Sequence, residues 1–370
     1  MKKVSLVACA LLLSSSMAFG ADTIDSAFKG GKASGSLALY GEKHDKKSGN
    51  LDSGFGNGNA TVAYETASFY GLTAKAEFKG NLSLGEVENG DRDGGTNSAF
   101  ANNSLMTEAY VKYANDAFFL SAGRQAIDLE WLGDYNESVV AGITAVPDTT
   151  IILGWADRQA ESGIDFSEDF ADINGNKGAY VLDIKYAGLQ GVEFNPYAYS
   201  APDVADWYGL KTTFTTDYFG AIAHYAVSNE GKNSSYTEDG SVGHAELNTT
   251  LAGVSAAVGY IKTDKVAGAG SMTVAGDNIS PFDTGLNTYS ADAKTVYGSL
   301  GYTIADVELG ALYGETKFGT DYKEKELNLT ASYPITESLA TSILYGDVNA
   351  DEANGDSDDK YVLASVEYTF

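Results

Sequence analysis

The chain has three histidines, His44, His224 and His244, and one cysteine, Cys9. Any nucleophilic or metal chemistry would have to be assembled around them. No two histidines have metal-ligand spacing. His44 falls in an outer loop, and the other two fall on separate strands. A serine nucleophile would need a histidine and an orienting polar partner brought together, and no local pattern signals one. Asp347, Asp351, Glu352, Asp356, Asp358 and Asp359 form an acidic run. Such carboxylates can hold a hard divalent cation. The run lacks the spacing of a helix-loop-helix calcium site, and a solvated acidic loop is the simpler expectation. Gly54-Phe55-Gly56-Asn57-Gly58 opens no helix, so a phosphate cradle is unsupported, and it reads as an outer loop. No catalytic residue, metal site or cofactor is expected.

The remaining charged residues repeat at every second position, which places them on one face of extended segments. Leu72, Ala74, Ala76 and Phe78 alternate with Thr73, Lys75, Glu77 and Lys79. Tyr180, Leu182, Ile184 and Tyr186 alternate with Val181, Asp183 and Lys185. Leu327, Leu329, Ala331 and Tyr333 alternate with Glu326, Asn328, Thr330 and Ser332. Burying so many charges in a dry core would be costly. With the apolar faces outward, Lys75, Lys79, Lys112, Lys185 and Lys211 point inward, joined by Arg124. Glu65, Glu77, Glu108, Asp183 and Glu246 point inward too. Both signs then line a wet lumen, where charged rings set ionic preference.

The elements that must hold these residues are strands in a membrane. Lys2 and Lys3, the apolar stretch Val4 to Leu13, and Ala18-Phe19-Gly20 read as a secretory signal over 1–20. Leu6-Val7-Ala8-Cys9 resembles a lipoprotein box, but leaves too short an apolar region. Export leaves 21–370 as one domain without cysteine and moves the charge from −27 to −29, since two lysines and no acids are lost. Phosphate binding needs basic patches, so nucleic acid is not an expected partner. Disorder does not fit 24 Tyr, 16 Phe and 44% hydrophobic residues. The mature part has no run of 18 apolar residues, so no spanning helix is expected. A closed barrel is the other way to satisfy backbone groups in lipid.

The connections alternate between two sizes. Short turns fall near Ser68, Asn115, Pro147, Gly188, Asp217, Gly253, Ala305 and Thr336. Longer ones cover 43–56, 82–104, 127–136, 159–177, 228–242, 264–292 and 348–359, with brief outer turns near Pro202 and Gly319. Splitting 128–178 at Pro147-Asp148 keeps the alternation and gives eighteen strands. The expected fold is all-β: an 18-stranded antiparallel transmembrane β-barrel, with sixteen strands as the alternative. Aromatics such as Phe69, Tyr70, Phe118 and Phe119 cluster at the short turns, as an interface girdle would. Pro196 alone among the five prolines falls inside a predicted strand, which counts against the strand's boundary there or implies a bulge. The chain ends in an alternating strand, Val362 to Phe370, with a terminal aromatic.

Ser26-Ala27-Phe28-Lys29-Gly30-Gly31-Lys32-Ala33-Ser34-Gly35 resembles the start of mature porins of the Opr (OprD-like) family, which includes the major outer-membrane porins of epsilonproteobacteria. Tyr64-Glu65-Thr66 through Gly71-Leu72 resembles the family's second and third strands. Thr107-Glu108-Ala109-Tyr110-Val111 followed by Gly123-Arg124-Gln125 is the most specific match. The resemblance covers about 26–160 and rests on architecture beyond. It implies an eighteen-stranded barrel, often a homotrimer, with a loop after Gln125, around Ile127 to Glu137, folded into the pore. Asp128, Glu130, Asp134 and Glu137 would bring negative charge to that constriction. Relatives use a ladder of basic side chains, for which Arg124 is the matching position. The chain lacks the proline usual after Gly-Arg-Gln.

Together these imply an exported Gram-negative outer-membrane porin. It would pass small hydrophilic solutes and ions, leaning toward cations, among outer-membrane lipid and lipopolysaccharide. The alternative is a surface-binding or adhesin barrel with a plugged lumen.

Overall fold

The computed structural model describes residues 21–47, 52–93, 98–285 and 287–370. The signal reading for 1–20 lies outside them. Eighteen strands form the ring: Lys32–Lys46, Ser53–Glu65, Leu72–Glu86, Ser104–Ala114, Phe118–Ala126, Tyr135–Ile143, Thr149–Ala160, Ala179–Leu189, Val192–Ala201, Ala205–Thr215, Gly220–Glu230, Gly240–Leu251, Val254–Thr263, Lys294–Ile304, Val307–Phe318, Tyr322–Pro334, Leu339–Asn349 and Asp359–Thr369. Each pairs antiparallel with its neighbours in sequence. The first closes on the last from Ser36↔Thr369 to Lys46↔Asp359. A two-residue strand, Ala171–Asp172, pairs only with Gln159 and Arg158, in a loop off the ring. Eighteen strands, not sixteen, are present, and the split at Pro147 falls between Ile143 and Thr149 as expected.

All eight short connections lie where the alternation placed them, including 144–148, 252–253 and 305–306. Ala305 and Asp306 have φ of 47° and 67°, the backbone of a two-residue hairpin turn whose twist matches its strands. A short helix, Ile24–Lys29, sits at this end. Thr23 and Ser26 cap it reciprocally, and Ala67 N donates to Ala27 O.

Three sequence expectations need correcting. Gly54 to Gly58 belong to the strand Ser53–Glu65, so the outer connection shrinks from 43–56 to 47–52. Glycine marks close packing there rather than a turn: a Cβ on Gly56 would sit 3.2 Å from Leu84 Cβ, beside a register shift at Gly56/Asn57. His44 is likewise in a strand, 2.7 Å from Asp359 and stacked on Tyr361. The acidic run is also divided. Asp347 pairs with Lys360 at 3.0 Å, Asp358 with Lys47 at 3.3 Å, and Asp359 starts the last strand. No group of three His, Cys, Asp or Glu that could hold a metal occurs among the described residues.

Pro196 does lie in a strand, and its neighbour completes the ladder. Asn195 Nδ2 donates to Ile184 O at 3.0 Å, next to a register shift at Val192/Phe194. A proline has no N–H to offer there.

Alternation separates the two surfaces. Val258 and Leu300 face outward at 60% and 61% exposed, whereas Ile261, Val242 and Ala226 face inward at 0%. Such an exposed apolar belt is unfavourable in water and suited to lipid. We expect Val258→Arg, near mid-strand, to lower the unfolding free energy by about 2–4 kcal/mol, measured by denaturant titration of the barrel in liposomes.

Candidate functional site

The lumen is built by two loops that leave the rim and turn inward. The first is Ile127 to Asp134. Ile127 N donates to Asp134 O at 2.8 Å and Leu129 N to Leu132 O at 2.9 Å, closing a small hairpin that turns at Glu130 and Trp131 and at whose base Asp134 has φ 59°. At its tip Trp131 is fully buried. Its Nε1 donates to the Tyr197 hydroxyl at 2.8 Å, which lies 2.7 Å from His224 Nε2. Glu130 pairs with Lys211 at 2.7 Å. These partners stand on three consecutive strands, four to six positions around the eighteen-stranded ring from the strand that precedes the loop, so the loop folds into the lumen and is fixed to the wall about a quarter of the way round.

The second is 264–293. Gly133 N donates to Ala275 O at 2.9 Å and Asn278 Nδ2 to Leu129 O at 2.9 Å, so the two loops are bonded together. Gln159 on the wall donates to both Gly133 O and Ala275 O, at 2.9 and 2.8 Å. Further along, Thr284 N and Gly285 N donate to Glu326 at 3.0 and 2.7 Å. Asn287 Nδ2 reaches Glu324 at 2.9 Å. Met272, Ala275, Ile279 and Phe282 are buried with Trp131 and Leu132 against Val181, Ile261 and Tyr297. Apolar burial thus holds the loops in place, and backbone groups at this depth are met by wall side chains.

The structure places the sequence-derived residues around this partition. Lys75 pairs with Glu108, and with Glu77 at 3.5 Å. Glu77 accepts from Thr107 Oγ1 at 2.9 Å. Lys79 donates to Ser162 O at 2.7 Å, and Lys112 lies 5.1 Å above the Phe119 ring. Glu65 sits at the end of its strand, opposite Lys75 in register. Arg124 donates to Glu137 at 2.9 Å and to Met106 O at 3.0 Å and stacks over Phe170. Asp183 accepts from Asn195 at 2.9 Å and Tyr199 at 3.1 Å. Lys185 interacts electrostatically with Asp128, whose carboxyl is pushed up by burial. Glu246 accepts from Tyr297 at 2.6 Å.

The inward loop is shorter than expected, because the next strand begins at Tyr135. Glu137 is therefore a wall residue, paired with Arg124 and, at 3.4 Å, with Arg158. Asp134 closes the base of the hairpin, where its carbonyl accepts from Ile127 N, leaving Asp128 and Glu130 as the acidic residues within it. His224 and His244 are directly opposite in register. They share no ligand: each Nε2 meets a tyrosine hydroxyl, Tyr197 at 2.7 Å and Tyr297 at 2.8 Å. The sequence reading missed Trp131, Tyr197, Arg158 and the inward course of 264–293. A signal for the last was present in Met272, Ile279 and Phe282, apolar residues in a connection otherwise rich in Gly, Asn and Asp.

No family model and no curated sequence matches the chain. Solved structures do. Acinetobacter baumannii OccAB1 superposes with a TM-score of 0.77 at 12% identity, covering 96% of this chain and 99% of that one. The outer membrane protein OprD from Pseudomonas aeruginosa gives 0.73 at 15% identity, covering 95% and 97%. Pseudomonas aeruginosa OpdK, solved with vanillate, gives 0.73 at 14%, covering 91% and 98%. The fold is thus the closed 18-stranded antiparallel barrel found in OprD/Occ outer-membrane porins.

Tyr197→Phe would leave the buried Trp131 N–H without its acceptor, at a cost of about 1–3 kcal/mol. We expect amide exchange over 127–134 to quicken by roughly tenfold or more, read by hydrogen–deuterium exchange, with the barrel strands unchanged.

Proposed function

We propose that the chain is an outer-membrane porin for passive diffusion of small hydrophilic solutes and ions, with a preference for cations. The observation that carries this reading is the charge arrangement at the inward hairpin. Glu130 on the loop pairs with Lys211 and Asp128 interacts with Lys185 on the wall, while Arg124, Glu137 and Arg158 pair on the three adjacent strands that flank the loop's base. Opposed fixed charges orient a polar solute, and charged rings select ions by sign. The cation preference rests on Glu246, which holds hydrogen bonds and, among the described residues, no ion pair, in a chain of net charge −27. Vanillate, the carboxylate named with OpdK, points the other way, as do the wall lysines.

In this reading residues 1–20 are removed on export and 21–370 form a single barrel domain in lipid. The resemblance over 26–160 further supports the epsilonproteobacterial porin type and a homotrimer. A second reading, a surface-binding barrel with a plugged lumen, is favoured by one observation. Trp131, Met272 and Phe282 bring apolar bulk into the interior.

Ala269 N lies 3.1 Å from Tyr289 O, so a short Gly-Ser link can replace 270–288 without opening the barrel. In planar bilayers under a salt gradient, we expect the parent to conduct with a cation-selective reversal potential. We expect the shortened variant to conduct at least about twice as strongly and with less selectivity. A silent parent with a conducting variant would establish the plug. An anion-selective potential would remove the cation preference alone.

A further inference from the structure

On the outward face, four lysines lie in line across four adjacent strands. Lys262 is directly opposite Lys294, Lys294 opposite Lys317, and Lys317 opposite Lys323. All four are exposed, and Lys325 occupies the next outward position. Like charges directly opposite each other destabilise an antiparallel pair. Two carboxylates offset part of this. Asp292 lies 3.0 Å from Lys294, and Glu315 lies 3.4 Å from Lys317, 3.6 Å from Lys323 and 3.9 Å from Lys325. Of the acids in the loops above, Asp264 accepts backbone N–H groups of Val266 and Ala267, and Asp351 accepts that of Lys323. Asp321 lies in the intervening turn. Lys262 has no ion pair among the described residues. Five lysines against two outward carboxylates make a cationic strip on a strongly acidic protein.

The strip sits on the long-loop side of the apolar belt. Next below it in register come Tyr260 and Val296, then Tyr313. With strands about 4.8 Å apart, four lysines in register span roughly 15 Å. Their stems can lie along the belt while the ammonium groups reach the headgroup level. Beside Lys262 the outer wall is also hollowed into a groove of about 730 Å³. There the small residues Ala223, Gly243 and Ala245 lie between Tyr225 and Tyr260. The groove is apolar, faces the bilayer, and ends at the first lysine of the strip.

We propose that the strip docks the phosphates of an anionic glycolipid of the outer leaflet, with an acyl chain of the same molecule in the adjoining groove. The proposal rests on the outer-membrane reading, which puts the long-loop side outside. Charge complementarity selects the headgroup, and the groove selects a lipid over a soluble phosphate.

The test is native mass spectrometry of the purified barrel, titrated with a diphosphorylated glycolipid, its dephosphorylated form, and inorganic phosphate. We expect the parent to hold the phosphorylated lipid at least about tenfold more tightly than the dephosphorylated one, because each lysine at a membrane surface contributes to anionic-lipid affinity. The variant K262Q/K294Q/K317Q/K323Q should lose that difference, and Glu315→Gln, which removes an offsetting charge, should bind more tightly. Equal binding by the quadruple variant, equal binding of the dephosphorylated lipid, or displacement by inorganic phosphate at equal concentration would overturn it. Should the quadruple variant not fold, as judged by unheated gel mobility, Glu315→Gln decides: unchanged affinity overturns the site. A parent that conducts but holds no lipid overturns the site alone. A parent that neither inserts nor conducts overturns the barrel reading and the site with it.

Discussion

Everything in this molecule depends on the seam between its first and last strands. In lipid, an unpaired backbone group has no water to turn to, so an open sheet edge would make the apolar outer face unusable. The pairing of Ser36 through Lys46 with Thr369 through Asp359 removes both edges at once. Gly35 and Phe370 extend it by exchanging backbone hydrogen bonds at 3.0 Å each way. Once the ring is closed, side chains alone distinguish its two surfaces. The exposed faces of Val258 and Leu300 suit lipid because the paired strands leave no polar backbone group there to satisfy.

The same constraint governs the interior, with a different solution. The inward loops carry irregular backbone inside the barrel, which is tolerated where protein or water meets its polar groups. Glu326 takes the N–H groups of Thr284 and Gly285, and Glu230 takes that of Ser271 at 2.9 Å. Asn57, on the wall, accepts from the buried guanidinium of Arg92 at 2.8 Å, which ties down a third connection. Polar side chains on the wall therefore have two roles. Some hold the loops, and others face the lumen beside them.

The legibility of this protein follows the range of the forces involved. Strand number and facing were readable because period-2 alternation is local, and Pro147 marks a turn through its own ring. Glu137 was assigned to a loop because the start of its strand depends on pairing with Gln125 and Arg124, a long-range contact. Glycine misled at 54–58, since it marks close approach of chains as readily as turns. The His224–His244 contact was invisible in spacing, because it is fixed by the register of two strands. The inward course of 264–293 was the largest omission. It depends on contacts with residues as distant in sequence as Leu129 and Glu326, although its apolar residues hinted that water was not their solvent.

That division of labour bears on what the luminal charges are for. Arg124 and Glu137 remain 30% and 28% exposed as a pair, whereas Glu130 is only 7% exposed beside Lys211. An ion pair as wet as Arg124–Glu137 contributes about 0–1 kcal/mol. Burying Trp131 or Met272 contributes more, on the order of 2–3 kcal/mol for one large apolar side chain. The loops are therefore held chiefly by their apolar residues, and the Arg124–Glu137 pair adds little to the architecture. The Arg124–Glu137–Arg158 group, wet and of small weight in holding the loops, is the part of the wall arranged for whatever passes through the lumen.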